Sequence, residues 1–167
     1  MNKTISPSEL NNRIAVIKRF KELLQAQRDR FQTYLHALDK QKDVIEKGTT
    51  EELLQYVEME ERIVTDIFSI QKVIDPLEKM YQAAKVDTPP KSSSRSEELH
   101  SGGGEVASLK KALDGLKTEA VFRSERNREL LSKRMAELRS EIKTLKSNYP
   151  MRRPDSSQTP SFIDLKG

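Results

Sequence analysis

The sequence predicts an all-α protein, an elongated antiparallel bundle of three long helices with coiled-coil-like packing. Three observations predict it. A seven-residue apolar repeat runs through the first quarter of the chain. Proline is confined to positions 7, 76, 89, 90, 150, 154 and 160, so the stretches 8–47 and 105–148 contain none. The composition is 35% hydrophobic and 34% charged, which is poor for a globular α/β core but suits helices that each bury one stripe.

The first helix has a clear start. Ser6 can cap, Pro7 fits the first helical position, and Glu9 stands three residues after the cap, where it can reach back to the Ser6 N–H. Leu10, Ile17, Leu24, Phe31, Leu38 and Ile45 then recur every seven residues, with Ile14, Phe20, Tyr34 and Leu35 beside them. A repeat sustained over this length argues for a packed seam. The helix ends at EKGTTEE, where Gly48 suits the position after the last turn, and Thr49 with Glu52 forms a second capping box. So short a connection predicts an antiparallel neighbour.

The second helix carries a wide apolar face, including Leu53, Val57, Ile63, Ile67, Ile74 and Tyr81. Pro76 interrupts it. Proline removes a backbone donor and crowds the preceding turn, so either a kink near 70–75 or a restart capped by Asp75 is expected. The segment VDTPPKSSSRSEELHSGGGE has no periodic apolar face and reads as a flexible linker. The third helix shows two stripes: Leu109, Leu113, Leu116 and Ala120, then Leu131, Met135, Leu138, Ile142, Leu145 and Tyr149. The polar RSERNR lies between them and reads as a stutter through Ala120, Ser124 and Asn127. Together these give one helical domain, 1–149, with helices over about 7–47, 50–85 and 105–148 and a linker over 86–104. A flexible tail follows over 150–167.

Charge is distributed unevenly along the chain. Segment 7–47 carries nine Lys/Arg and six Asp/Glu, segment 50–85 four and eight, and segment 105–149 eleven and seven. An acidic helix between two basic ones suggests mutual attraction between helices and not one basic surface for nucleic acid. Arg123, Arg126, Arg128, Lys133, Arg134 and Arg139 are interleaved with glutamates and lack alternating aromatics as a stacking platform. There is no cysteine, which excludes disulfides and thiolate chemistry and suits a reducing compartment. The N-terminus has no apolar signal core, and no apolar run approaches the ~18 residues of a membrane span. The expectation is a soluble cytoplasmic protein.

No catalytic constellation emerges. His36 and His100 are isolated. Gly102, Gly103 and Gly104 precede Glu105 and Val106, where a phosphate loop would need Lys and Ser/Thr. Glu58, Glu60 and Glu61 do not share one helix face and lack the glycine turn of a calcium loop. No enzyme activity, cofactor or metal is expected, and a protein of this kind works by contact. Three apolar residues at the end of the polar tail, Phe162, Ile163 and Leu165, read as an anchor for a partner or a segment that folds back on the chain's own helices.

The arrangement resembles a known family. Two capped helices joined by GTTEE, with EELLQYVEMEERIV opening the second, resemble the FlgN-type flagellar export chaperones. SERNRELLSKRMAEL resembles that family's N-x-x-L-L segment, carried by Asn127, Leu130 and Leu131, and the final FIDLKG resembles the apolar C-terminal motif of some members. The likeness covers about residues 10–148 and the last six. It implies a cytosolic chaperone that holds hook-associated, hook–filament junction proteins unassembled for the flagellar type III apparatus, and it leaves the export gate open as a second partner. It also implies substrate contact through Asn127, Leu130, Leu131, Met135 and Leu138 with the tail residues Phe162, Ile163 and Leu165. The Ser/Gly linker and Pro76 depart from the family pattern and leave the direction of the third helix open. Two other classes stand beside this one: a structural coiled-coil adaptor and, less favoured, a basic helical nucleic-acid binder.

Overall fold

The structure is a computed structural model that describes residues 6–86 and 94–148. Among the described residues, only Ser6, Gly48 and Thr49 lie outside a helix. The helices are α1 (Pro7–Lys47), α2 (Thr50–Val86) and α3 (Ser94–Asn148). The chain divides into two compact units, Met1–Leu131 and Ser132–Gly167. The all-α bundle expected from the sequence is what the first unit contains.

Both predicted helix starts form. The Glu9 N–H donates to Ser6 Oγ at 3.2 Å, while the Glu9 carboxylate pairs with Arg13 at 2.9 Å. At the second start the box is reciprocal. The Glu52 N–H donates to Thr49 Oγ1 at 3.2 Å, and the Thr49 N–H donates to Glu52 Oε2 at 2.9 Å. Gly48 between them is extended, at φ −90° and ψ −178°, so it is not chosen for a left-handed conformation. Space selects it. A Cβ there would stand 2.7 Å from Val44 Cγ1 and 2.8 Å from the Val44 carbonyl oxygen.

Side-chain bonds give the direction of each helix in the first unit. Gln27 of α1 donates to the Ile67 carbonyl of α2 at 3.3 Å, and Tyr34 further along α1 donates to Glu60, which lies earlier on α2, at 2.9 Å. These two helices are therefore antiparallel, as the tight turn requires. Lys21 of α1 pairs with Glu105 of α3, and Leu38 of α1 with Asn127 of α3. Both numbers rise together, so α3 runs parallel to α1. Lys110 of α3 pairs with Glu78 of α2, and the site of a Gly103 Cβ lies 3.5 Å from Tyr81 Oη, so α3 is antiparallel to α2. The direction that the sequence left open is thus settled.

The core follows the seven-residue repeat. Ile17, Leu24, Leu38 and Ile45 are buried, and Leu10 and Phe31 are partly buried. Phe20 is fully buried against Tyr81, with ring centroids 5.2 Å apart. Ile74 of α2 and Val106, Leu109 and Leu113 of α3 close the same cluster.

Two expectations need correction. The linker expected over 86–104 is largely helical. Val86 ends α2, residues 94–104 begin α3, and 87–93 lie outside the described residues. Three glycines argue against a helix at about 1 kcal/mol each, but packing overrides propensity here. A Cβ on Gly102 would stand 2.9 Å from Ile17 Cγ2, so its absence lets α3 approach α1. Val106, next along the helix, is 1% exposed. The second correction concerns the restart at Pro76, which does not form: α2 runs through the proline without a break from Thr50 to Val86. Asp75 is no cap; its carboxylate accepts from Gln71 Nε2 at 2.7 Å. Proline leaves the Lys72 carbonyl without its helical donor, and both residues are exposed, so water can take the donor's place. The tail 150–167, with Tyr149, lies outside the described residues.

Candidate functional site

The sequence points to α3 as the contact surface, and the structure divides the residues named there into two groups. Asn127 is 4% exposed and serves the bundle. Its Nδ2 donates to the Leu38 carbonyl at 2.7 Å and to Gln41 Oε1 at 2.9 Å, and its Oδ1 accepts from Arg126 at 3.3 Å. Gln41 passes the link on, donating to Glu60 Oε2 at 2.8 Å, while Tyr34 donates to Glu60 Oε1. Burial first, then the hydrogen bond and charge of Glu60, push the Tyr34 phenol up to about 12, so it remains a donor. On the other flank Arg123 and Arg126 grip Asp39 at 2.6 and 3.2 Å, and Arg123 also donates to the Leu35 carbonyl at 3.3 Å. A continuous polar network crosses all three helices.

Sequence reasoning missed this network. RSERNR reads as a polar break in the apolar stripe, yet Arg123, Arg126 and Asn127 are the residues that bind α3 to α1. One signal was present: Asn127 stands seven residues after buried Ala120 on the same stripe. Leu130 and Leu131 are half-buried at the end of the first unit.

In the second unit the described residues are 132–148, all of them exposed. Met135, Leu138, Ile142 and Leu145 are spaced three, four and three apart, so they form one stripe along that part of α3. Their exposures lie between 41% and 58%. An apolar stripe of four large side chains left to water is unusual, whereas scattered exposed apolar residues are not. Arg139, Lys143 and Lys146 border one edge, and Glu137 and Glu141 the other, where Arg134 pairs with Glu137 at 4.0 Å. Among the expected contact residues, Met135 and Leu138 belong to this stripe, while Phe162, Ile163 and Leu165 lie outside the described residues. Among the described residues, no helix is long and apolar enough to cross a membrane.

Fold and surface define an all-α bundle with an unpaired helical stripe. The chain is 32% identical over 139 residues to an uncharacterized protein of Treponema pallidum (strain Nichols), an alignment that takes in 83% of this chain and 80% of that one. It belongs to the same family as that treponemal protein. No family model matches the chain. No solved structure matches it either.

Proposed function

We propose that the protein is a flagellar export chaperone of the FlgN type, acting in the cytoplasm. It binds hook-associated proteins and keeps their coiled-coil-forming terminal helices unassembled until the type III apparatus takes them. The observation that carries this reading is the stripe Met135, Leu138, Ile142 and Leu145, which is spaced as a coiled-coil seam and lies open. A cargo helix with an apolar face of the same spacing would lie against it, each large side chain buried contributing about 1.5–3 kcal/mol before ordering costs. The resemblance in EELLQYVEMEERIV, in the segment around Leu130 and Leu131, and in the terminal FIDLKG supports the same reading. In it, Phe162, Ile163 and Leu165 add a second anchor to the bound cargo.

The test is calorimetric titration of purified hook-associated proteins from the source organism. Replacing the four stripe residues by serine should abolish binding while leaving helicity and melting temperature unchanged. Deleting 161–167 should weaken binding by orders of magnitude, again without change in melting. Equal affinity for the intact and serine-substituted chains would exclude the stripe as the cargo site. No affinity of the intact chain for any hook-associated protein would exclude the function.

A further inference from the structure

Within the first unit, α3 carries a short charge pattern on its open side. Asp114, Lys117, Val121, Glu125 and Arg128 are spaced three, four, four and three apart. At about 100° per residue they share one sector of about 80°. All five are exposed, Val121 to 58%. Lys117, Val121, Glu125 and Arg128 also stand on the α3 wall of a groove of about 420 Å³, whose α1 wall is formed by half-buried Phe31 and Tyr34. Every one of these residues belongs to the unit that ends at Leu131.

The charges in this stripe are idle, unlike their neighbours. Arg123 and Arg126 are both held by Asp39, and Arg123 also by Glu119. Asp114, Lys117, Glu125 and Arg128 have no ion pair among the described residues. Their order is acid, base, Val121, acid, base. Read from the other end it is base, acid, Val121, base, acid, so the stripe complements its own reverse. In an antiparallel pair of such helices with Val121 opposite Val121, residues equally far before and after Val121 come level. Asp114 then meets Arg128 of the second copy and Lys117 meets Glu125, and each pairing occurs twice. Other occupants fit less well. A parallel pair in register sets each charge against its own sign. A uniformly acidic helix meets Asp114 and Glu125, and a uniformly basic one meets Lys117 and Arg128.

We infer that the protein forms a two-fold dimer in which the α3 helices pair antiparallel about Val121, Asp114 against Arg128 and Lys117 against Glu125 of the second copy. The same patch serves both copies, as a two-fold contact requires. Val121 leaves water there, while the ion pairs fix register and choice of partner more than they add affinity. Met135, Leu138, Ile142 and Leu145 take no part, so the inference and the proposed cargo site stand or fall separately.

The test is sedimentation equilibrium of the full chain without cargo, where a monomer–dimer equilibrium is expected. Lys117→Glu with Arg128→Glu makes the charges of the stripe all acidic, and Asp114→Lys with Glu125→Lys makes them all basic. Each pair of changes should weaken the dimer at least about tenfold. Mixed in equal amounts, the two variants should associate at least about tenfold more tightly than either does alone, and all four changes in one chain should restore the dimer to within about threefold. The chain has no cysteine, so Val121→Cys places a single thiol on the two-fold axis. Mild oxidation should link its copies at least about tenfold faster than those of Glu51→Cys, which alters an exposed residue at the start of α2. Circular dichroism melts check that each variant folds. A chain monomeric up to about 1 mM would overturn the inference. So would a dimer that ignores the reversals, a mixture no tighter than its components, or equal cross-linking at the two positions.

Discussion

Asn127 and Leu38 are joined across the α1–α3 seam by a 2.7 Å hydrogen bond from the side-chain amide of one to the main-chain carbonyl of the other. The bond is buried, and the same amide also holds Gln41. Asn127→Ala would strand the Gln41 acceptor and remove a donor from a buried carbonyl. A buried polar group left unsatisfied costs about 1–3 kcal/mol. Urea unfolding should show a loss of that size, with the transition midpoint lowered and its slope unchanged.

Gln27 makes the opposite case. It is 1% exposed, and its Nε2 donates to the Ile67 carbonyl at 3.3 Å and to Gln71 at 3.2 Å, but its Oε1 has no hydrogen-bond partner among the described residues. Gln27→Met removes the orphaned acceptor and keeps the volume; the Ile67 carbonyl and Gln71, which lose its Nε2 as donor, are at part-buried bonds where water can replace it. The expected change in unfolding free energy is within about 1 kcal/mol and toward greater stability. A loss above about 2 kcal/mol would mean that Oε1 is satisfied by something else, such as a bound water.

Gly48→Ala tests the turn. Because φ is −90°, no backbone strain is at stake and the effect is steric. Overpacking of this kind costs about 1–3 kcal/mol. Adding Val44→Ala removes the Cγ1 clash but not the one with the Val44 carbonyl, so thermal melts should show only partial recovery.

Tyr34 should make stability fall in alkali. Its pKa rises from 10.0 unfolded to about 12 folded, so above pH 10 the unfolded chain releases a proton that the folded chain keeps. The stabilisation is complete below that pH and declines as pH rises from about 10 toward about 12. Melting temperature across that window should fall less steeply in Tyr34→Phe.

The legible part of the fold was whatever repeats. Ile17, Leu24, Leu38 and Ile45 sit where a seven-residue spacing puts them, and Thr49 and Glu52 make the box their spacing promises. The start of α3 was not legible, because Gly102 is decided by Ile17 of another helix and not by its neighbours in sequence. RSERNR hid its role for the same reason: Asp39, which Arg123 and Arg126 hold, is more than eighty residues away. At the candidate site, spacing places Met135 and Leu138 on one apolar stripe, and only the family resemblance makes them contact residues.

The order of the helices also matters while the chain is being made. The α1–α2 hairpin is complete at Val86, but its apolar cluster is finished only by Val106, Leu109 and Leu113 of α3. At about 5–20 residues per second, the ribosome needs roughly 2–7 s to add 87–120. Throughout that interval Phe20 and Tyr81 lie on a hairpin with one side bare. A chain released at residue 86 is therefore caught at its stickiest moment, and that fragment should be recovered in inclusion bodies while the full chain is not.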